Sequence, residues 1–116
     1  MATVNKVFLL GNLTRDPELK EISPGTTVCD LGIAVNEDYT NKKGEKIESV
    51  SYFDVAVWNK AGEACNKFLE KGRLVHVEGR LKQDRWENDQ GEGRSRVRVV
   101  ANSVQFLPKP GKQDDN

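Results

Sequence analysis

The sequence predicts an all-β domain with one helix, and three observations carry that prediction. Apolar and polar residues alternate in five separate segments, the period of strands that bury one face. A single segment, with Ala61, Ala64, Cys65, Phe68 and Leu69, instead repeats at three- and four-residue spacing and reads as a helix. Between these segments lie stretches of Pro, Gly, Asn and Asp, the residues that turns require. A chain of 116 residues suits one domain with one modest core.

The first strand is read from Val4 to Leu13 and stops before Asp16-Pro17, where proline restricts its neighbour. The second follows Ser23-Pro24-Gly25 and alternates Cys29, Leu31, Ile33 and Val35 with Asp30, Gly32, Ala34 and Asn36. A polar loop from Tyr39 to Ser49, with Asn41-Lys42-Lys43-Gly44 at its tip, reads as a long hairpin connection to the third. For the helix, Asn59 offers a start cap, Glu63 an acid in the first turns, and Lys71-Gly72 an end. The fourth strand points Val75, Val77, Gly79 and Leu81 inward and His76, Glu78, Arg80 and Lys82 outward, with Trp86 on the outward parity. After the turn-rich segment Asn88 to Gly93, the fifth begins with Val97 and Val99 inward and then changes phase to Val100, Val104 and Phe106. One inserted residue near Ala101, a β-bulge, accounts for the change.

The third strand, Ser51 to Asn59, is the segment that points to function. If Phe53, Val55 and Val57 are inward, then Tyr52, Asp54 and Trp58 face out. Exposed aromatic faces on a sheet, with cations around them, are platforms for unpaired nucleic-acid bases. A second core or a subunit interface fits the same strand equally well. The order of elements decides between them. Five strands with the only helix between the third and fourth match the OB-fold, a five-stranded Greek-key barrel whose second and third strands form a binding face.

Composition limits the alternatives. Lys plus Arg and Asp plus Glu both total 18, giving zero net charge, which argues against a domain held to duplex DNA by charge. The arginines Arg94, Arg96 and Arg98 nevertheless share one parity of the fifth strand. Two cysteines without a CxxC spacing, and one histidine, give too few ligands for zinc. Both cysteines fit reduced core positions. The apolar stretch Val7 to Leu10 is too short for a signal peptide or a membrane span, so a cytoplasmic, membrane-free protein is expected. No GxGxxG, P-loop or catalytic triad motif occurs, so neither enzyme activity nor a cofactor is expected.

The opening Val4-Asn5-Lys6-Val7-Phe8-Leu9-Leu10-Gly11-Asn12-Leu13-Thr14-Arg15-Asp16-Pro17-Glu18 closely resembles the start of bacterial-type single-stranded DNA-binding proteins. Asn59-Lys60-Ala61, Phe68-Leu69-Glu70-Lys71-Gly72 and Val77-Glu78-Gly79-Arg80-Leu81 resemble that family's helix and following strand. The resemblance spans Val4 to Leu107. It implies an OB-fold domain over residues 1–107; the end, 108–116, with two prolines and no large apolar residue, is expected by its composition to be a disordered tail. The resemblance also implies sequence-independent binding of single-stranded DNA during replication, recombination and repair, in a homotetramer associated with the bacterial nucleoid or encoded by a phage or plasmid. The related primosomal-type OB proteins, which act mainly by holding protein partners, are the alternative.

By the same resemblance, the stacking positions fall on Tyr39, Tyr52, Trp58 and Trp86. The basic contacts fall on Lys6, Lys20, Lys42, Lys60, Lys71, Lys82, Arg85 and Arg94. The alternation of the fourth and fifth strands adds Arg80, Arg96 and Arg98. Asp54, Asp84 and Glu87 lie among these groups and are expected to repel phosphate. The family's chains usually end in a long flexible linker and an acidic tip that finishes in an apolar Ile-Pro-Phe, and the tip recruits replication and repair proteins. This chain ends Gln113-Asp114-Asp115-Asn116, so the resemblance does not carry those partners over.

Overall fold

The computed structural model describes residues 2–108. Eight strands and one helix follow in the order β1 (Val7–Leu13), β2 (Glu18–Ser23), β3 (Thr26–Asn36), β4 (Tyr39–Thr40), β5 (Lys46–Ile47), β6 (Val50–Trp58), α1 (Asn59–Phe68), β7 (Leu74–Glu87) and β8 (Gly93–Phe106). Five of the strands close on themselves in the order β1-β7-β8-β6-β3. The ring closes where β3 returns to β1 through Asn12↔Ala34 and Leu13↔Ile33. All its ladders are antiparallel except β6 with β8, which run parallel over Val55↔Val99 and Ala56↔Val100. This is the predicted barrel, with the helix between its third and fourth strands.

The interior follows from the alternation. Cys29, Leu31 and Ile33 of β3, Val55 and Val57 of β6, Val75 and Val77 of β7, and Val99 of β8 are all fully buried. Each buried aliphatic side chain contributes about 1.5–3 kcal/mol. The α1 residues Gly62 and Cys65 close one end, with Leu69 just beyond the helix. Cys29 and Cys65 are free thiols. Burial pushes Cys29 up to about 11 and Cys65 to about 12, each helped by a neighbouring negative charge.

Several expectations are corrected. Regular pairing of the first strand begins at Val7, not Val4, and Val4 is exposed. An additional strand, β2, pairs with β3 across the Pro24-Gly25 turn, and the loop expected from Tyr39 contains the small hairpin β4–β5. Asn59 is the first helical residue, not the cap, and its Oδ1 accepts from the Thr27 amide at 3.3 Å. Phe68 and Ala61 are exposed, because the buried line of α1 runs through Gly62 and Cys65 to Leu69. Leu81 and Val97 are exposed although they keep the inward parity. The β1 ladder ends at Gly79 and the β6 ladder at Val99, so beyond these rungs β7 and β8 run on as a two-stranded arm and the two side chains line an open cleft instead of the core.

The phase change in β8 is a bulge, as predicted. Gly79 pairs with Ala101 and Glu78 with Ser103, which leaves Asn102 as the extra residue. The two hairpin tips share one construction. Asn41 Oδ1 accepts from the amides of Lys43 and Glu45, both at 2.9 Å, and Asn88 Oδ1 accepts from those of Gln90 and Glu92, also at 2.9 Å. The expected tail, 108–116, lies outside the described residues from position 109 on. Among the described residues no helix is long and apolar enough to cross a membrane, and no cluster of His, Cys, Asp or Glu could hold a metal ion.

Candidate nucleic-acid interface

Residues opposite one another in a ladder point to the same side of a sheet, so the register fixes which side chains share a face. On the outer side of β2, β3 and β6 the rungs read Lys20–Val28–Trp58, Asp30–Ala56, Gly32–Asp54 and Ala34–Tyr52. Ala56 continues through Val100 to Arg80. Along the arm the same face carries Lys82–Arg98, Asp84–Arg96 and Trp86–Arg94. One continuous surface therefore brings together Tyr52, Trp58 and Trp86 with Lys20, Arg80, Lys82, Arg94, Arg96 and Arg98.

The aromatics differ in how far they stand out. Tyr52 is 71% exposed and Trp86 47%. Trp58 is half-buried beside Val28, itself buried, and occupies the cap position where β6 enters α1. Tyr52 and Trp58 stand six residues apart on one strand, roughly 20 Å at the rise of a β-strand. The expected outward set of the third strand is thus observed, with Trp58 also serving as packing.

Among the described residues, five of the six cations of this face, all but Arg80, lie within 4.0 Å of a carboxylate. Lys20 Nζ lies 3.4 Å from Asp30, and Arg94 Nη2 lies 2.7 Å from Glu92. Asp84 takes Arg98 at 2.9 Å, Arg96 at 3.9 Å and Lys82 at 4.0 Å. Asp54, expected to repel phosphate, is 3.9 Å from the guanidinium of Arg15.

Arg15 is a residue that the sequence reasoning missed. It reaches the face because Gly32 presents no side chain: a Cβ there would collide with the Arg15 guanidinium and the Thr14 hydroxyl. The signal was its place in the loop between the first two barrel strands, a loop that flanks the binding face in this architecture. Arg15, Lys20, Asp30, Asp54, Arg96 and Arg98 surround a hollow of about 160 Å³ in the middle of the face. A second cleft of about 260 Å³ opens where β6 and β8 diverge beyond their two shared rungs, with Tyr52, Phe53, Leu81 and Val97 on its walls.

The remaining predicted residues lie elsewhere. Lys6 is on the β1 side of the barrel, 2.9 Å from Glu78. Lys42 and Tyr39 belong to the β4–β5 hairpin, and Tyr39 is exposed. Lys60 is exposed on α1, and Lys71 lies beside the first loop, where its amide donates to Asp16 Oδ1 at 2.8 Å. Arg85 is on the reverse side of the arm from Trp86 and donates to Gln83 Oε1 at 2.9 Å.

This geometry agrees with comparisons to known proteins. The Single-strand binding protein family matches residues 4–107. The chain is 44% identical over 108 residues to the single-stranded DNA-binding protein of Treponema pallidum (strain Nichols), covering 92% of this chain and 60% of that protein. It is 41% identical over 113 residues to single-stranded DNA-binding protein 1 of Staphylococcus aureus (strain MSSA476), covering 97% of this chain and 70% of that protein. Among solved structures, a deletion mutant of the single-stranded DNA binding protein from Thermus aquaticus superposes with a TM-score of 0.84 at 36% identity, covering 93% of this chain and 52% of that chain. A Plasmodium falciparum SSB complex with ssDNA shares the fold, with a TM-score of 0.85 at 22% identity, covering 93% and 98%. The chain thus spans little more than half the length of two of these relatives. On the family match and the identity to these relatives, the chain belongs to the single-strand binding protein family.

Proposed function

We propose that the chain binds single-stranded DNA with little sequence preference, by stacking bases on Tyr52, Trp58 and Trp86 and by contacting phosphates from the cations between them. The observation that carries this reading is the shared face: three aromatics and six predicted cations on one surface, joined by Arg15 from the first loop. Every base has a stackable face, which accounts for the lack of sequence preference, and a duplex hides those faces. Tyr39 on its hairpin and Lys42, Lys60 and Lys71 at the margins extend the path. Protection of single strands during replication, recombination and repair, in the bacterial cytoplasm, is the role that such binding serves. A purely scaffolding role of the primosomal type leaves the aromatic set without a use.

The reading includes a homotetramer built from paired dimers. Residues Val7 to Gly11 of β1 pair with β7 on one edge, and among the described residues their other edge has no ladder partner. Phe8, 60% exposed, and Leu10 stand on the outer face of the same strand, with the His76 ring 6.4 Å from that of Phe8. A second β1 across a two-fold axis would complete the ladder and cover both side chains. Sedimentation of the protein alone and with oligo-dT tests both parts. A multiple of 13.0 kDa that carries the oligonucleotide is the expected result. A monomer that leaves oligo-dT behind contradicts it.

A further inference from the structure

Asp84 stands among the cations of the arm, where the sequence places it. Its carboxylate is only 29% exposed and stands in the middle of the arm's outer face, one rung from Trp86 and one from Lys82. Three cations surround it, and they are not held alike. Arg98, 20% exposed, is in close contact at 2.9 Å. Arg96 and Lys82, at 3.9 and 4.0 Å, are half-exposed and only loosely held. Carboxylates beside cations recur nearby, each with one partner: Lys20 against Asp30 and Arg15 against Asp54. A surface that served only to grip phosphate would gain nothing from a carboxylate among its cations.

We propose that Asp84 is a specificity-determining residue: by holding back the positive charge of the arm, it keeps this face selective for single strands over duplex. The proposal rests on the reading of this face as the path of single-stranded DNA. Affinity for a duplex comes from phosphate contacts and counterion release, so it depends on uncompensated charge. Affinity for a single strand has base stacking in addition. A carboxylate among the arm's cations therefore lowers duplex binding by the larger fraction. Arg98 stays anchored, while Lys82 and Arg96 are free to turn toward phosphate when stacked bases bring it close.

The test measures oligo-dT and duplex binding across a salt series for wild type, Asp84→Asn and Asp84→Thr, the last chosen for its preference for strands. With the carboxylate removed, about one further phosphate contact becomes effective. The slope of log K against log salt then steepens by roughly 0.7 for oligo-dT and roughly 0.9 for duplex. Both affinities rise, and the duplex-to-dT ratio rises with them. Adding Lys82→Gln to Asp84→Asn returns the slopes toward wild type. Unchanged slopes, or an unchanged ratio, overturn the proposal. Loss of folding or of melting temperature in both Asp84 variants, with weaker dT binding, makes Asp84 a tether between the arm strands and overturns it as well. A wild-type protein that fails to bind oligo-dT instead removes the reading beneath it.

Discussion

The side chain of Asn5 acts as a short piece of strand against Leu81. Its Nδ2 donates to the Leu81 carbonyl at 2.8 Å, and its Oδ1 accepts from the Leu81 amide at 2.8 Å. Leu81 is where β7 leaves the barrel, two residues past the Val7↔Gly79 rung that ends the β1 ladder. The pair therefore fastens the N-terminal segment to the root of the arm that carries Trp86 and Asp84.

Asn5→Ala removes both bonds. Each contributes about 1 kcal/mol at most in this exposed setting, so a loss of about 1–2 kcal/mol is expected from the shift in urea midpoint. The slope of the urea transition should stay the same. A midpoint equal to that of wild type would show that water replaces the pair at no cost.

Gly62 should reverse a familiar rule. Glycine to alanine inside a helix ordinarily gains up to about 1 kcal/mol. At Gly62 a Cβ would collide with the Val57 carbonyl oxygen and press on the Cys29 side chain at 3.1 Å. Gly62→Ala is therefore expected to destabilise by about 1–3 kcal/mol, the range for overpacking. A rise in melting temperature would mean that α1 is not seated on β3 and β6 as described.

Tyr52 and Trp58 should separate stacking from packing. Tyr52 is well exposed, so Tyr52→Ala is expected to weaken oligo-dT binding by about 1–3 kcal/mol with near-normal melting. Trp58 is half-buried beside Val28, so Trp58→Ala is expected to lose both binding and thermal stability. Equal loss of stability in the two variants would place Tyr52 in a structural contact.

The thiols make a prediction about alkaline pH. Burial first, and then the charge of Asp30, raises Cys29 from 9.0 to about 11; burial, and then Cys29, raises Cys65 from 9.0 to about 12. Both thiols thus stay protonated in the folded chain while those of the unfolded chain ionise above about pH 9. The unfolded state then binds fewer protons, so stability is full below pH 9 and falls as the pH rises toward 11–12. Melting temperatures measured between pH 7 and 11 should show this decline, and a Cys29→Ala, Cys65→Ala double variant should decline less. At neutral pH neither thiol should react with a thiol reagent until the protein unfolds.

Much of this was legible because alternation reports burial directly. Cys29, Leu31, Ile33, Val55, Val57, Val75 and Val77 declare the barrel wall, and the change of phase near Ala101 declares the bulge found at Asn102. β2 left no such signal, because all six of its residues are exposed and nothing in its pattern distinguishes one side from the other. Leu81 and Val97 follow the inward parity, yet alternation does not say where a barrel ends, and these two lie past its rim. On the interface, parity placed Arg94, Arg96 and Arg98 together. The ion pairs to Asp84 and the approach of Arg15 over Gly32 depend on how one strand or loop is set against its neighbour, and the alternation within a single strand does not record that.

The central claim is that open bases, not phosphate charge alone, are what this face takes. Trp58 and Trp86 are the chain's only tryptophans, and both lie on the proposed path. The most direct measurement is their emission during titration with oligo-dT, repeated with unlabelled duplex as competitor. The account predicts that oligo-dT quenches most of the emission and that duplex at the same nucleotide concentration fails to reverse it. Quenching by duplex as strong as that by oligo-dT, or oligo-dT binding that leaves the emission unchanged, would contradict it.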